Sequence, residues 1–174
     1  MRTTAAILLA LLLPAGVARA AGDAVLTPAE LSDARLVHAM PLPWVRAPGG
    51  PSSCASCAVQ EVVWRNVTVR IQYVAFESAA AAHTAACFQV ANASAFFRTG
   101  AWDRAQAVGD ETWWTRGASA HALLIRSGSV CVLVSCREGD AVARDRAAEE
   151  FAGRVAARLR ALRRPGAADP GVRE

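Results

Sequence analysis

The clearest hydrophobic pattern in the chain lies between Val67 and Val90 and changes its period partway along. Up to Tyr73 apolar and polar residues alternate, and this period of two is typical of a half-buried strand. From Ser78 onward an alanine-rich run follows at helical spacing. The Ser78 hydroxyl is well placed to accept a hydrogen bond from the first helical turn. The pattern therefore predicts a strand that leads directly into a helix.

A second pattern, LTPAEL at residues 26–31, has the spacing of a helix start. Thr27 and Glu30 form a capping box, with a proline at the first helical position and a leucine on each side as a hydrophobic staple. The helix should end near residues 38–40, because the prolines that follow cannot continue it. The sequence therefore predicts a helix at this end of the chain.

Further apolar runs predict a sheet and a final helix. Besides the strand that begins at Val67, strands are expected at residues 59–64, 111–116, 122–126 and 130–136. The last two runs are joined by Ser127-Gly128-Ser129, a short glycine-containing connection typical of an antiparallel hairpin. After Gly139, apolar residues recur at helical spacing and form one stripe. The stripe consists of Phe151, Val155, Leu159 and Leu162.

Together these elements predict an α+β fold in one domain. Strands grouped along the chain, with helices around them, are typical of an antiparallel sheet with helices packed on it. We expect a mainly antiparallel sheet of four to five strands, packed with two or three helices.

Residues 1–20 have the parts of a secretory signal peptide. Arg2 gives a positive start, an apolar run covers residues 7–13, and Ala18-Arg19-Ala20 is a small-residue cleavage site. The apolar run is too short to span a bilayer. Cleavage after Ala20 would leave one domain at 21–164 and a polar, disordered tail at 165–174. The sequence therefore predicts a secreted chain, in the periplasm or outside the cell, that does not span the membrane.

The charge balance argues against nucleic acid as a partner. The full chain has a formal net charge of +4, and removal of the predicted signal peptide leaves 17 arginines against 15 acidic residues. Binding to a nucleic-acid backbone needs a more concentrated basic face. The chain also has no phosphate-binding glycine loop, nucleophile elbow or zinc-protease motif. We therefore expect no cofactor and no metal, and a catalytic function is not favoured.

Five cysteines follow the predicted signal peptide. They are Cys54, Cys57, Cys87, Cys131 and Cys136. In an exported protein disulfides are the default, and an odd number leaves one thiol over. The last two cysteines lie in one predicted strand, roughly 16 Å apart at about 3.3 Å per residue, which exceeds the ~7 Å that a bridge allows. The favoured pairing joins Cys54 or Cys57 to Cys87 or to the last strand, and the connectivity stays open.

Three chemical roles are alternatives to a structural role for these cysteines. A thioredoxin-like site needs its first cysteine at a helix N-terminus, whereas a proline-glycine loop precedes Cys54 and a β-rich run follows Cys57. A zinc site built on the same motif has possible spacing, but export favours oxidation. His83 and Cys87 share a helix face as a nucleophilic pair would, but the sequence indicates no residue to orient the histidine. The structural role is favoured in each case.

Aromatic residues in loops and short strands give the candidate ligand site. Pockets for small ligands are mostly apolar and carry a few polar groups, so we expect a groove beside the sheet with aromatic side chains at its rim. The candidate rim residues are Trp44, Trp102, Trp113, Trp114 and His121.

Four segments carry a resemblance to a known family. They are LTPAEL, VAFESAAAAH, IRSGSVCVLV and AAEEFAGRVAARL. In these segments the chain resembles the extracellular sensor domains of mycobacterial receptor-type serine/threonine kinases and the secreted proteins that share this module. It departs from them in having no evident Trp-x-x-Cys after the alanine helix and no kinase or transmembrane segment. The resemblance implies a disulfide-containing domain with a cleft for an unidentified ligand, and it supplies no catalytic residues.

The sequence leaves three functions to compare. The favoured one is an exported, non-enzymatic sensor-like domain that binds a small ligand or an envelope protein. The second is a thiol-disulfide oxidoreductase that uses Cys54 and Cys57. The third is a structural interaction module of the envelope, with a possible homodimer through an exposed sheet edge.

Overall fold

An antiparallel sheet forms the centre of the computed structural model, which describes residues 21–42, 54–91, 102–104 and 108–163. Within these ranges the sheet has seven strands in the order β1-β2-β3-β7-β6-β5-β4. The strands are β1 (Arg35–Leu42), β2 (Cys54–Trp64), β3 (Val67–Phe76), β4 (Asp103–Arg104), β5 (Glu111–Arg116), β6 (Ala120–Ser127) and β7 (Val130–Arg137). The long helices are α1 (Ala79–Ala91) and α2 (Ala141–Arg163), and residues 21–24 form a further helical turn.

This architecture confirms the predicted α+β fold, with more strands than the four to five expected. The additional strands are β1, in a stretch predicted to be a helix, and the two-residue β4. The strand-to-helix pattern is confirmed, since β3 ends at Phe76 and the Ser78 hydroxyl accepts a hydrogen bond of 3.1 Å from the amide of Ala81. The proline-glycine loop that precedes Cys54, the predicted tail and the predicted signal peptide lie largely or wholly outside the described residues.

The helix predicted from Thr27 to about residue 40 is wrong, although its capping box forms. The amide of Thr27 donates to Glu30 Oε2 at 2.7 Å, and the amide of Glu30 donates to Thr27 Oγ1 at 3.4 Å. These bonds close a turn instead of starting a helix, and the chain enters β1 at Arg35. Leucine and valine at positions 36 and 37 suit a strand, and the segment pairs with β2 from Arg35 to Leu42. Pairing between β1 and β2 therefore overrides the local sequence signal for a helix.

Helices cover both faces of the sheet. On one face, β3 and β7 alternate apolar residues into the main core against α2, where Phe151 is fully buried. On the other face a smaller cluster packs beneath α1 and includes Phe76 and Leu133. Cys136 belongs to the first face and Cys131 to the second. Both faces of β7 are therefore buried.

Two tight turns join the central strands. The predicted hairpin forms between β6 and β7, where Ser127 pairs with Val130 and Gly128 has a φ of 61°. Glycine adopts this left-handed backbone conformation most easily because it has no Cβ. The β2–β3 turn uses Arg65 and Asn66, with φ of 48° and 66°, which is the backbone of a two-residue hairpin turn.

Strand β1 lies at one edge of the described sheet. Its Leu36 and Val37 side chains are 44% and 46% exposed. An exposed apolar edge strand can pair with another chain. A homodimer through a sheet edge stays a prediction.

An ion pair ties the capping-box turn to α2. Arg154 donates to both carboxylate oxygens of Asp33, at 2.6 and 2.9 Å, and the indole of Trp64 donates to the same carboxylate at 2.9 Å. The hydrogen bonds from Arg154, and then that from Trp64, hold the pKa of Asp33 well below its usual range. Asp33 is therefore ionised when the protein is folded, even in acid that protonates an ordinary aspartate.

This lowered pKa predicts a loss of stability in acid. A carboxyl whose pKa falls on folding stabilises the protein above its unfolded pKa of about 3.9, and this contribution is lost as the pH falls through the folded pKa. We expect Asp33→Asn to lower the free energy of unfolding most at pH 7 and by less at pH 2, where part of the contribution of the ionised carboxylate is already lost. Urea unfolding at pH 7, 4 and 2 measures this. Asp103→Asn, at an exposed aspartate of β4, is the control, and equal losses for Asp33→Asn at all three pH values would contradict the prediction.

Candidate functional site

The candidate rim residues are divided by the sheet. Trp102 and Trp113 pack against the cluster under α1, with Trp113 only 7% exposed. Trp114 packs against the main core on the α2 face, and His121, which pairs with Cys136, is on that face as well. Trp44 lies outside the described residues. The structure thus brings Trp114 and His121 to one face of the sheet and Trp102 and Trp113 to the other.

The Cys-x-x-Cys motif lies within β2. A strand does not provide the helix N-terminus that lowers the pKa of a thioredoxin-like cysteine. Cys57 pairs with Val74, and Val74 pairs with Cys131, so the two cysteines are two strands apart. At about 4.8 Å per strand their Cα separation is about 9.6 Å, which exceeds the ~7 Å of a disulfide. The structure contains no bridge to Cys87 or to the last strand, and disulfide pairing stays a prediction.

A charged cluster lies where β5 ends, β6 begins and α2 begins. The side chain of His121 is 5% exposed, and its Nδ1 is 2.6 Å from Asp145 Oδ1. Arg116 Nε donates to the same oxygen at 3.0 Å. The Arg116 guanidinium also stacks on Trp114, with 3.3 Å between its central carbon and the ring centroid. Such a contact adds a cation–π attraction to the ion pair, so one half-exposed arginine is held from two sides.

A buried arginine lies beside this cluster. Arg144 is 8% exposed and precedes Asp145 in α2. It donates to the carbonyl oxygens of Gly139 at 2.7 Å and Ala118 at 2.9 Å, and Ala118 lies in the turn just after Arg116. Its Nε is buried and has no hydrogen-bond partner among the described residues. Through its two carbonyl bonds, Arg144 holds the turn after β5 to the start of α2.

Sequence patterns do not predict most of this cluster. His121 and Trp114 were predicted from residue type, but Arg116 and Arg144 were not. Asp145 is 29 residues from Arg116 and 24 from His121 along the chain. No spacing rule connects residues so far apart, and only the pairing of β5 with β6 and the packing of α2 bring them together.

A second polar cluster connects α1 to β5 and β6. His83 Nδ1 is 2.9 Å from Glu111 Oε2, and His83 Nε2 is 3.6 Å from the Cys87 sulfur. Glu111 also accepts a hydrogen bond from Arg126 Nε. The sequence predicted that His83 and Cys87 share a face but indicated no residue to orient the histidine, and the structure supplies Glu111.

Comparisons with known proteins support the fold. No protein-family model and no curated protein matches the chain. Among solved structures, a similar arrangement of sheet and helices occurs in an extracellular domain of a bacterial protein. This is the extracellular domain of PknH from Mycobacterium tuberculosis, with a TM-score of 0.52, 11% identity, and coverage of 83% of this chain and 96% of that domain. The similarity shows that the two share a fold.

None of the described helices is long and apolar enough to cross a lipid bilayer. Clusters of three or more His, Cys, Asp or Glu side chains with metal-binding geometry are also absent from the described residues.

Proposed function

We propose that the chain is an exported, sensor-like binding domain that works outside the cytoplasm. The signal-peptide pattern at residues 1–20 and the fold shared with the extracellular domain of PknH both support this location. The observation that carries the proposal is the arginine cluster at the end of the sheet. Arg116 is half-exposed, fixed on Trp114 and held by Asp145. A fixed, partly exposed guanidinium is a typical contact for a ligand because little side-chain entropy is lost on binding.

The charges of the cluster favour an anionic ligand. Arg116 is paired with Asp145, whereas Arg144 binds the backbone carbonyl oxygens of Gly139 and Ala118, so its guanidinium adds positive charge beside that ion pair. Arginine recognises carboxylates and phosphates through paired hydrogen bonds. Trp114 adds an aromatic surface for the apolar part of a ligand. The proposed ligand is a small molecule with a carboxylate or phosphate group, or a segment of an envelope protein with the same chemistry.

Binding of simple anions tests the site. We expect inorganic phosphate to shift the Trp114 indole and Arg116 Nε signals in NMR spectra of the labelled protein, with saturation as phosphate is added. Arg116→Gln removes a charged hydrogen-bond donor worth about 1.5–3 kcal/mol, so affinity should fall about tenfold or more. Titrations at constant ionic strength, with acetate as the second probe, measure the change.

The matched control is Arg146→Gln, which removes the same charge from an exposed position on α2. It should bind phosphate like the wild type. Shifts that do not saturate, or that are the same in Arg116→Gln and Arg146→Gln, would contradict a binding site at Arg116.

A further inference from the structure

Three side chains between α1 and β5 have the order of a thiol-activating triad. The Cys87 sulfur is 3.6 Å from His83 Nε2 and 4.0 Å from His83 Nδ1, so it lies beside the imidazole, and Nδ1 is 2.9 Å from Glu111 Oε2. Cys87 is exposed, and the His83 side chain is 51% exposed. A nucleophile next to a base that a third group orients is the general arrangement of nucleophilic catalysis. Cys87 is therefore part of a group of three chemically connected side chains and not an isolated surface cysteine.

The secondary structure fixes this order. His83 and Cys87 are four residues apart in α1, so they lie one above the other on the same face of the helix. Glu111 is the first residue of β5, and the strand places it beside that face. The helix and the strand therefore bring together residues that are 28 positions apart in the chain.

Glu111 is itself held in place by a chain of ion pairs. Its Oε2 accepts from Arg126, and Arg126 also bonds Asp110 at 3.4 Å. Asp110 in turn binds Arg163 at the end of α2, at 2.7 and 2.8 Å. Each link reduces the freedom of the next, so the carboxylate that faces His83 is anchored to the body of the domain.

Glu111 carries a negative charge beside His83 Nδ1. Burial raises its pKa, but hydrogen bonds from His83 and Arg126 outweigh this and leave the pKa of Glu111 below its usual value. An ionised carboxylate at Nδ1 keeps the proton on that nitrogen, and it stabilises the imidazolium that forms when Nε2 accepts a second proton. Nε2 is then available to take the proton of the Cys87 thiol.

We infer that Cys87 is an activated thiol and the site of reversible thiol–disulfide exchange with low-molecular-weight disulfides. His83 Nε2 accepts the proton of the Cys87 thiol. The thiolate attacks one sulfur of the disulfide, so a bond between Cys87 and that sulfur forms as the original sulfur–sulfur bond breaks. The departing thiolate takes the proton back from His83 and leaves as a thiol. Two electrons pass from Cys87 to the small disulfide, and Cys87 becomes a mixed disulfide.

Two other cysteines provide an internal comparison. Burial raises the pKa of Cys131 and of Cys136 to about 12 in each case. Cys131 also donates to the carbonyl oxygen of Ala82 within the layer under α1. Both thiols should be inert towards exchange while the protein is folded, because the thiolate is the reacting form.

The test measures exchange at each cysteine separately. The reduced protein is mixed at pH 6.5 with 2-hydroxyethyl disulfide, an uncharged probe, then quenched in acid and mapped by peptide mass spectrometry. We expect the mixed disulfide at Cys87 to form about tenfold faster in the wild type than in His83→Ala, with Glu111→Gln in between. His38→Ala, at a half-buried histidine of β1, should react like the wild type.

Two readouts separate activation from a structural effect. The rate at Cys87 in the wild type should stop rising with pH earlier than in His83→Ala, and a merely structural role of His83 would not move this profile. Circular dichroism checks the fold, and Glu111→Gln tests the same inference if His83→Ala does not fold. Equal rates in the wild type and in the folded variants would overturn the inference. A disulfide between Cys87 and another cysteine in the purified, unreduced protein would do the same.

Discussion

Replacement of Phe151 by alanine is expected to lower the free energy of unfolding by about 3–5 kcal/mol. Phe151 is fully buried at the centre of the core between α2 and the sheet. Its ring meets the ring of Trp64 edge to face, with centroids 6.1 Å apart and an interplanar angle of 84°. The substitution removes the buried area and this aromatic contact, and it leaves a cavity that the strands behind it can fill only partly.

Phe88→Ala provides a matched control for this measurement. Phe88 lies on α1 and is 43% exposed, so the same change of side chain should cost less than about 1 kcal/mol. Urea unfolding of both variants beside the wild type measures the difference. A loss for Phe151→Ala as small as that for Phe88→Ala would show that α2 does not pack on the sheet as described.

The long helix shows how far periodicity predicts burial. Three members of its predicted stripe, Phe151, Val155 and Leu159, are buried in the core, and the fourth, Leu162, is 45% exposed. Periodicity identifies which face of a helix is apolar. It does not report where along the helix the partner surface ends, so the last position could not be predicted from the pattern.

The start of the domain shows that a correct local prediction does not determine the element that follows it. The capping box of Thr27 and Glu30 was predicted and forms, but the element that follows is β1 and not a helix. A capping box stabilises only one turn. Whether the chain continues as a helix depends here on the 11 residues of β2, which offer a strand partner. Strand β2 begins at Cys54, more than ten residues after the end of β1, so rules based on neighbouring residues do not predict this pairing.

In the candidate sites, too, local relations between residues could be predicted and long-range ones could not. The relation of His83 to Cys87 could be predicted because both lie on one helix, and Trp114 and His121 could be chosen by residue type. Glu111, Arg116 and Asp145 could not, because strand register and helix packing place them. Long-range ion pairs carry no periodic signal in the sequence, and both clusters depend on them.

A buried polar group holds the first described residues of the chain against the sheet. Gln60 in β2 is 2% exposed, and its side chain bonds both backbone groups of Leu26, the amide at 3.0 Å and the carbonyl at 2.8 Å. The hydroxyl of Tyr73 donates to Gln60 Oε1 at 2.8 Å. Burial raises the pKa of Tyr73, so its hydroxyl keeps its proton and remains a donor. Each polar atom of the Gln60 side chain is therefore used inside the core.

We expect Gln60→Leu to lower the free energy of unfolding by about 3 kcal/mol, although leucine is more hydrophobic. The substitution leaves the amide and carbonyl of Leu26 and the Tyr73 hydroxyl buried with poorer partners, and each lost partner costs about 1–3 kcal/mol. Adding Tyr73→Phe should deepen this loss, because the Tyr73 hydroxyl also accepts a hydrogen bond of 3.4 Å from the Leu26 amide and is its remaining partner once Gln60 is gone. Urea unfolding of the single and double variants measures both effects, with Gln72→Leu, at a half-buried position of β3, as the control. A Gln60→Leu protein as stable as Gln72→Leu would contradict the role of Gln60, since the hydrogen bonds to Leu26 would then contribute nothing to holding this segment on the sheet.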